Sequence, residues 1–451
     1  MLHFLNPVYL AFLFRCSPAT SVVPVCYQYD PRDRLVTLIG NGRVTAFQYD
    51  ALGRRTNAVW PNGTTAAYAY DEANQLLSLI HVSAATTIAS FVYAYDLGGN
   101  RTNMITLEGS NSYGYDNRNW LTCAEYPDGH VQEFQYDPVG NRINLGGAGS
   151  APTDYVYGPA NRLLSSASAV ETNEYVYDGA GRLTNQLVNG QIRQYEYNFR
   201  GQMTELADMD GRVFRYDFDG DGNRTSQSLN DCLETRFVYD GPNVVLDLNG
   251  SNEAVHAYVN GLGIDQPIER IAFINGAERT RLVYHADALG SIASMTDESG
   301  ATVKTYAYEA FGKIRTESQG LIVNRIGFTA REMMGDYLGL YYYRNRVMDG
   351  GTGRFISLDP LGFVDGPNQY SYCDNDPLGM VDPLGMLSDN EGGGRPPTCY
   401  TKKDIPSAIK NQLPKSVQDT LDACCIGPCC PGILWGDKGY EGSCLKCSWS
   451  F

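Results

Sequence analysis

The sequence YVYDGAGRLT, residues 175–184, decides the fold because variants of it recur about every 20 residues. Tyr175 and Tyr177 stand two positions apart, so they project from the same face of a strand. Asp178 then begins a turn, because its side chain can bond its own backbone. Gly181 stands where a hairpin turn requires a positive φ. The unit is therefore predicted to be a strand, a tight turn and a second strand.

Copies of this unit extend in both directions and cover residues 26–315. A single hairpin cannot bury its tyrosine face, whereas stacked neighbours can. We therefore predict a mainly β fold of stacked antiparallel β-hairpins in which the tyrosines are packing residues. A carbohydrate-binding row of aromatics is the alternative. The residue three places after the acid is predicted to have positive φ, at Asp33, Gly53, Asn74, Gly99, Asn119, Gly140, Asn161, Gly181, Gly201, Asn243, Gly290 and Gly312.

One copy also resembles half of a calcium loop. The run from Asp217 through Asp219 and Asp221 to Gly222 has the D-x-D-x-D-G spacing. Ser228, however, stands where the bidentate Glu of such a loop belongs. We favour an ordinary hairpin turn with a small insertion.

Charge and length restrict the class of protein. The 451 residues carry a net charge of −16, and the part of the chain after residue 386 contributes none of that excess. Such an acidic shell argues against nucleic-acid binding by residues 1–386, because phosphates require a basic surface. No run of about 18 apolar residues indicates a membrane span. The apolar segment 1–25 is either a poor secretory signal or the start of a truncated repeat protein.

A second motif follows the repeats, in GRFISLDPLGFVDGPNQYSYCDNDPLGMVDPLGM, residues 353–386. DPLG occurs three times, beginning at Asp359, Asp376 and Asp382. The first motif, counted through Phe363, ends well before the third begins. Two carboxylates held close cannot both ionise easily, so one can activate water while the other polarises a carbonyl. Alternatively, the copies are three Asp-Pro turns. Sequence chemistry alone leaves both interpretations open.

The YxYDxxGNRxT repeats and the segment GFTAREMMGDYLGLYYYRNRVMDGGTGRFISLDPLG, which begins at residue 327, resemble the Rhs/YD-repeat proteins and their core-associated domain. The resemblance covers about residues 26–386. It implies that the antiparallel β-hairpins wind into a spiralling, cocoon-like shell over 26–315, closed at one end by a self-cleaving plug over 316–386. It also implies catalysis by Asp359 and Asp382, support from Arg354, and a cut between Met386 and Leu387. Asp376, in the extra copy, is interpreted as structural.

The same resemblance implies a polymorphic toxin, similar to the C component of insecticidal toxin complexes. Its partners would be an effector of residues 387–451 held inside the shell, an immunity protein and a delivery machinery. The location would be secreted or at the cell surface. Thirteen or so units make a short array, which predicts either a small shell or the end of a longer gene product.

The tail after residue 386 is predicted to be a small, partly helical, cysteine-rich domain. It holds Cys399, Cys424, Cys425, Cys429, Cys430, Cys444 and Cys447. Adjacent cysteines favour disulfides over a four-cysteine zinc site, and a catalytic cysteine is a third, weaker option because no histidine follows residue 285. We predict no cofactor and no metal. The rival functions are a non-enzymatic surface protein that binds carbohydrate or neighbouring cells, and a degenerate remnant.

Overall fold

A computed structural model of the chain describes residues 13–17 and 23–388, apart from positions 85, 150, 319, 321 and 336–338. Most of the predicted N-terminal segment lies outside the described residues. The tail from residue 389 also lies outside them, with its predicted helix and seven cysteines. Among the described residues, no helix is both long and apolar enough to span a membrane.

Among the described residues, a single antiparallel meander of 29 strands forms the wall, and each strand pairs with the next one in the chain. The first fifteen are β1 Leu13–Ser17, β2 Val25–Tyr29, β3 Leu35–Gly40, β4 Arg43–Tyr49, β5 Arg55–Val59, β6 Thr65–Tyr70, β7 Leu76–Ser83, β8 Thr86–Tyr95, β9 Arg101–Thr106, β10 Gly109–Tyr115, β11 Leu121–Glu125, β12 Val131–Tyr136, β13 Arg142–Gly146, β14 Thr153–Tyr157 and β15 Leu163–Ala167. The remaining fourteen are β16 Thr172–Tyr177, β17 Leu183–Val188, β18 Gln191–Tyr197, β19 Met203–Ala207, β20 Val213–Phe218, β21 Arg224–Leu229, β22 Cys232–Asp240, β23 Asn243–Leu248, β24 Ala254–Asn260, β25 Pro267–Ile274, β26 Ala277–Ala286, β27 Ile292–Thr296, β28 Thr302–Tyr308 and β29 Ile314–Glu317. The predicted β fold is therefore confirmed, and the last wall strand ends two residues beyond the predicted boundary at 315.

The predicted hairpin turn is present with the expected chemistry. In the unit at 175–184 the carboxylate of Asp178 accepts hydrogen bonds from the backbone N–H groups of Ala180 and Arg182, at 2.9 and 3.0 Å. Gly181 has φ 76° and donates its N–H to the Asp178 carbonyl at 3.1 Å. Eleven of the twelve positions predicted to have positive φ do so: Asp33, Gly53, Asn74, Gly99, Asn119, Gly140, Asn161, Gly181, Gly201, Gly290 and Gly312.

The prediction for Asn243 is wrong. Asn243 begins β23 and pairs with Asp240 across a two-residue turn, in which Gly241 has the positive φ of 56°. Pro242 follows Gly241, and its ring fixes φ near −65°, so the left-handed residue of this turn is Gly241. In this shorter turn the residue with positive φ therefore lies two positions before the predicted one.

The run around Asp219 is the hairpin turn that we favoured over a calcium loop. Its Oδ1 accepts the N–H groups of Asp221 and Asn223 at 2.9 Å, and its carbonyl accepts the N–H of Gly222 at 3.3 Å. Asp178 accepts hydrogen bonds from the same two positions of its own turn. The Asp219 carboxylate therefore caps the hairpin turn in which it lies.

The tyrosines pack inside the wall, as predicted. Tyr175 is 7% exposed and belongs to a buried cluster that also contains plug residues such as Tyr342. The second tyrosine of many units donates its hydroxyl to a backbone carbonyl of the preceding unit, as Tyr157 does to Arg142 at 2.8 Å. Because these bonds fix neighbouring hairpins to each other, the aromatic rows hold the wall together.

The wall coils back on itself, so early strands meet late ones. His81 on β7 lies against His285 on β26, with Nδ1 atoms 3.3 Å apart. Asn62 donates from its side chain to the Thr296 hydroxyl and to the carbonyl of Asp297, both at 2.8 Å. These contacts join parts of the chain that are distant in sequence and enclose an interior.

A small second sheet fills part of this interior and forms the plug. Its strands are β30 Glu332–Met334, β31 Leu340–Tyr343, β32 Arg346–Asp349 and β33 Arg354–Phe355, paired antiparallel in that order. Tyr343 and Phe355 share a buried cluster with the wall residues Tyr113 and Phe134. Short 3-10 turns lie at Pro159–Asn161, Phe328–Ala330 and Cys373–Asn375. The plug sheet therefore shares buried clusters with the wall.

Candidate active site

All three DPLG copies fold as turns that are capped by their own aspartate. Asp359 Oδ1 accepts the N–H of Leu361 at 2.7 Å, and Asp376 Oδ1 accepts that of Gly379 at 3.1 Å. Asp382 Oδ1 accepts the N–H of Met386 at 2.8 Å. Turn formation therefore does not distinguish the three copies.

Arg346 links the first copy to the third. Its Nη2 lies 2.9 Å from Oδ2 of Asp359 and 3.0 Å from Oδ2 of Asp382. The guanidinium is 3% exposed and stacks 3.6 Å above the ring of Phe355. The structure thus brings together the two aspartates singled out in the sequence, around one buried cation, while Asp376 caps its own turn.

Arg354, the arginine placed at the site from the sequence, makes its contacts elsewhere. Its Nη2 donates to the carbonyl of Asn161 at 2.6 Å, and its guanidinium lies between the rings of Tyr157 and Tyr370 at about 5 Å from each. It fastens the plug to the wall. The arginine that contacts the carboxylates is Arg346, eight residues earlier, which the sequence analysis missed although it stands in the RNR triplet of the plug motif.

The chain around Met386–Leu387 is held on both sides. Arg344 and Asn345, in the β31–β32 turn, and Arg346, at the start of β32, donate to successive carbonyls. These are the carbonyls of Pro383, Leu384 and Gly385, at 2.6, 2.9 and 2.6 Å. This arrangement fixes the backbone on the N-terminal side of the bond.

The backbone N–H groups of the next three residues, 386–388, donate hydrogen bonds to carboxylates. Asp382 Oδ1 accepts Leu387 N–H at 3.1 Å in addition to that of Met386. Asp365 accepts the N–H of Ser388 at 3.3 and 3.2 Å and its hydroxyl at 2.6 Å. Asp365 and Ser388 are also residues that the sequence analysis missed. The Met386 side chain is fully buried beside Leu361 of the first DPLG copy.

Burial and neighbouring charges raise the pKa of two carboxyls at this site. Burial raises the pKa of Asp359 to about 7, and the charges of Asp382 and Asp365 act in the same direction against that of Arg346. Burial and the Asp382 charge raise the pKa of Asp365 to about 6. Both oxygens of Asp382 accept N–H hydrogen bonds, from Arg346 and from Leu387. The cluster therefore combines a readily protonated carboxyl, that of Asp359, with a second aspartate that already contacts the peptide nitrogen of the proposed cut.

The teneurin YD-shell family model matches residues 65–378, and the RHS repeat model matches residues 29–59. The chain is 27% identical over 369 residues to the tRNA3(Ser)-specific nuclease WapA of Bacillus spizizenii. The aligned region covers 80% of this chain and 15% of that protein. It is 32% identical over 108 residues to the toxin protein Tse5 of Pseudomonas aeruginosa, covering 23% of this chain and 8% of Tse5. The chain thus spans a small part of the length of these relatives.

The fold is also similar to one found in a solved structure. The crystal structure of TcdB2-TccC3-TEV superimposes with a TM-score of 0.64 at 17% identity, over 81% of this chain and 21% of that one. At this identity the likeness concerns the fold alone. It agrees with the coiled hairpin wall described above.

Proposed function

The chain belongs to the teneurin YD-shell family, and on this premise we propose that it is the shell and self-cleaving plug of a secreted or cell-surface polymorphic toxin. The proposed cut lies between Met386 and Leu387 and frees the segment from residue 387 as the effector. The observation that carries the proposal is that Arg346 Nη2 contacts Asp359 and Asp382 together while Asp382 Oδ1 holds Leu387 N–H.

The proposed reaction is hydrolysis by a carboxylic acid and a carboxylate. Asp359, protonated below about pH 7, donates its proton towards the carbonyl oxygen of Met386 as a water molecule attacks the carbonyl carbon. Asp382 takes a proton from that water. When the C–N bond breaks, Asp382 delivers this proton to the Leu387 nitrogen, with which it already shares a hydrogen bond, and Asp359 recovers its own. One water is consumed, and a carboxyl and an amine form.

The plug supports this chemistry by limiting how the scissile segment can move. The scissile segment is part of the chain itself and is held by bonds to three consecutive carbonyls and three consecutive N–H groups. Such positioning replaces the entropy loss of a bimolecular encounter. An effector, an immunity protein and a delivery machinery are proposed as partners by analogy with the toxins that this chain resembles.

Intact mass of the purified full chain under denaturing conditions tests the proposal. The native sequence should give two species that meet at Met386–Leu387. Asp359→Asn and Asp382→Asn should each give one uncut chain, whereas the matched control Asp376→Asn should still be cut. A single uncut species from the native sequence, or full cutting in both active-site variants, would overturn the mechanism.

A further inference from the structure

A third carboxylate, that of Asp365, contacts the chain just beyond the proposed cut. Its two oxygens accept the N–H of Ser388 at 3.3 and 3.2 Å, and its Oδ2 accepts the Ser388 hydroxyl at 2.6 Å. Ser388 is 2% exposed. The Asp365 carboxylate therefore accepts hydrogen bonds from both donors of a buried serine. This serine stands two positions after Met386, whose carbonyl is attacked in the proposed cut.

This contact differs in kind from the turn caps. Asp359, Asp376 and Asp382 each bond N–H groups no more than five residues ahead, as Asp-Pro turns commonly do. Asp365 and Ser388 are 23 residues apart, and Asp365 lies in the loop after the first DPLG copy. Local turn formation does not bring them together, so the pairing is a property of the assembled site.

We propose that Asp365 is a positioning residue that anchors the leaving side of the scissile bond through Ser388. The inference rests on the proposed self-cleavage and deepens it by assigning a specificity. The position two residues after the cut carbonyl should require a hydroxyl side chain with a free backbone N–H, so serine or threonine is accepted. Alanine loses one donor and proline loses both.

The geometry explains why this anchor affects the reaction. Residues 344–346 fix the carbonyls before Met386, and Asp382 fixes the next two N–H groups. Without Asp365 the chain beyond Leu387 is free to pivot about the Asp382 contact, which misaligns the nitrogen that must receive a proton. A lost charge-assisted hydrogen bond of this type is expected to slow cutting by about tenfold to a hundredfold.

Asp365 also has an electrostatic effect that a purely structural residue would lack. Among the described residues, the titratable and charged groups that interact with it include Asp359, Asp382, Arg346 and Cys373. Its charge raises the pKa of Asp359, so Asp365→Asn should shift the fall in cutting rate near pH 7 to lower pH. Ser388→Ala removes the hydroxyl without changing any charge, so it should slow cutting and leave that pH limb in place.

The test follows self-cleavage of the full chain after a short radiolabelled pulse of cell-free translation. Synthesis is stopped with an elongation inhibitor, and aliquots are diluted into buffers from about pH 5.5 to about pH 8.5 before separation by gel electrophoresis. Asp365→Asn and Ser388→Ala should each slow cutting by at least about tenfold. Ser388→Thr should remain near the native rate, and the double variant should be no slower than the slower single variant, because both act through one contact.

Native-like rates for both Asp365→Asn and Ser388→Ala would overturn the inference while leaving the proposed function intact. Independent, additive slowing in the double variant, or slow cutting in Ser388→Thr equal to that in Ser388→Ala, would also overturn it. If Asp365→Asn fails to fold, the cutting rates of Ser388→Ala and Ser388→Thr test the inference without it. A native chain that is never cut would instead refute the proposed function.

Discussion

Arg346 donates from Nη2 to Oδ2 of Asp382 at 3.0 Å, although 36 residues separate the two in sequence. Nε of the same side chain donates to the carbonyl of Gly385 at 2.6 Å, and Nη1 donates to that of Gln369 at 3.1 Å. One buried guanidinium therefore orients a carboxylate and also fixes the backbone next to the proposed cut. A planar group with several fixed donors suits this task, and a lysine does not.

Arg346→Lys is expected to abolish self-cleavage or slow it by at least about a hundredfold, because one ammonium cannot serve two carboxylates and two carbonyls in that geometry. The matched control is Arg354→Lys, which alters a buried arginine of the same plug away from the carboxylates and should leave cutting intact. Pulse-labelled chains resolved on gels measure both. Cutting at the native rate in Arg346→Lys, with loss in Arg354→Lys, would restore the arginine assignment made from the sequence.

The pH dependence of cutting should follow the proton on Asp359. Its pKa is raised to about 7 by burial, so the acid form dominates below that pH and is lost above it. The rate should therefore fall by about tenfold per pH unit above pH 7. Rates that stay constant from about pH 6 to about pH 9 would contradict the role of Asp359 as the acid.

Gly181 joins a wall turn to the loop that carries Asp359. A Cβ there would lie 2.6 Å from Cδ1 of Leu358 and 2.9 Å from the hydroxyl of Tyr370, and its φ is 76°. Gly63, with φ 82°, has no heavy atom within 4 Å of that position. Both Ala variants incur a left-handed backbone cost of about 1 to 2 kcal/mol, but Gly181→Ala must also displace the residue before Asp359.

We therefore expect Gly181→Ala to lower the free energy of unfolding more than Gly63→Ala and also to slow cutting. Urea unfolding in an uncut Asp359→Asn background measures stability, and pulse labelling in the native background measures cutting. Equal stability losses and equal cutting rates in the two variants would show that the turn at 178–181 does not position the site.

The buried His81–His285 pair should make folding sensitive to acid. Burial lowers the pKa of His81 to about 4 and that of His285 well below its ordinary value. In the unfolded chain both take up protons as pH falls below about 6.5, whereas the folded chain resists until about pH 4. Their contribution to the free energy of unfolding is thus complete above about pH 6.5 and decreases by up to about 1.4 kcal/mol per histidine for each pH unit below it.

Replacing both histidines by glutamine should remove this slope between about pH 6.5 and about pH 4.5, relative to the parent chain. The measurement is the urea midpoint across pH in the uncut Asp359→Asn background. An unchanged slope in the double variant would mean that the pair is already charged in the folded chain.

The sequence by itself determined the hairpin wall, and its resemblance to a known family singled out the candidate catalytic pair. Alternation of aromatics and a capping acid before a Gly or Asn are local rules, so the hairpins and eleven positive-φ positions follow from them without knowledge of distant contacts. Asn243 failed because a two-residue turn with proline shifts the local geometry. Asp359 and Asp382 were singled out by the resemblance of the DPLG segment to the core-associated domain of the Rhs/YD-repeat proteins, because their chemistry alone also allowed Asp-Pro turns.

Only the tertiary structure decided which groups surround those carboxylates. Arg346 and Asp365 have no periodic or spacing signal that points to the cut, and Arg354 lies close to Asp359 in sequence yet faces the wall. The partners come from the β31–β32 turn and from loops distant from each other in sequence, brought together when the plug packs its buried aromatics inside the coiled sheet. Short-range chemistry thus specifies the hairpins, whereas the charges around the proposed bond depend on long-range burial, which also sets their pKa values.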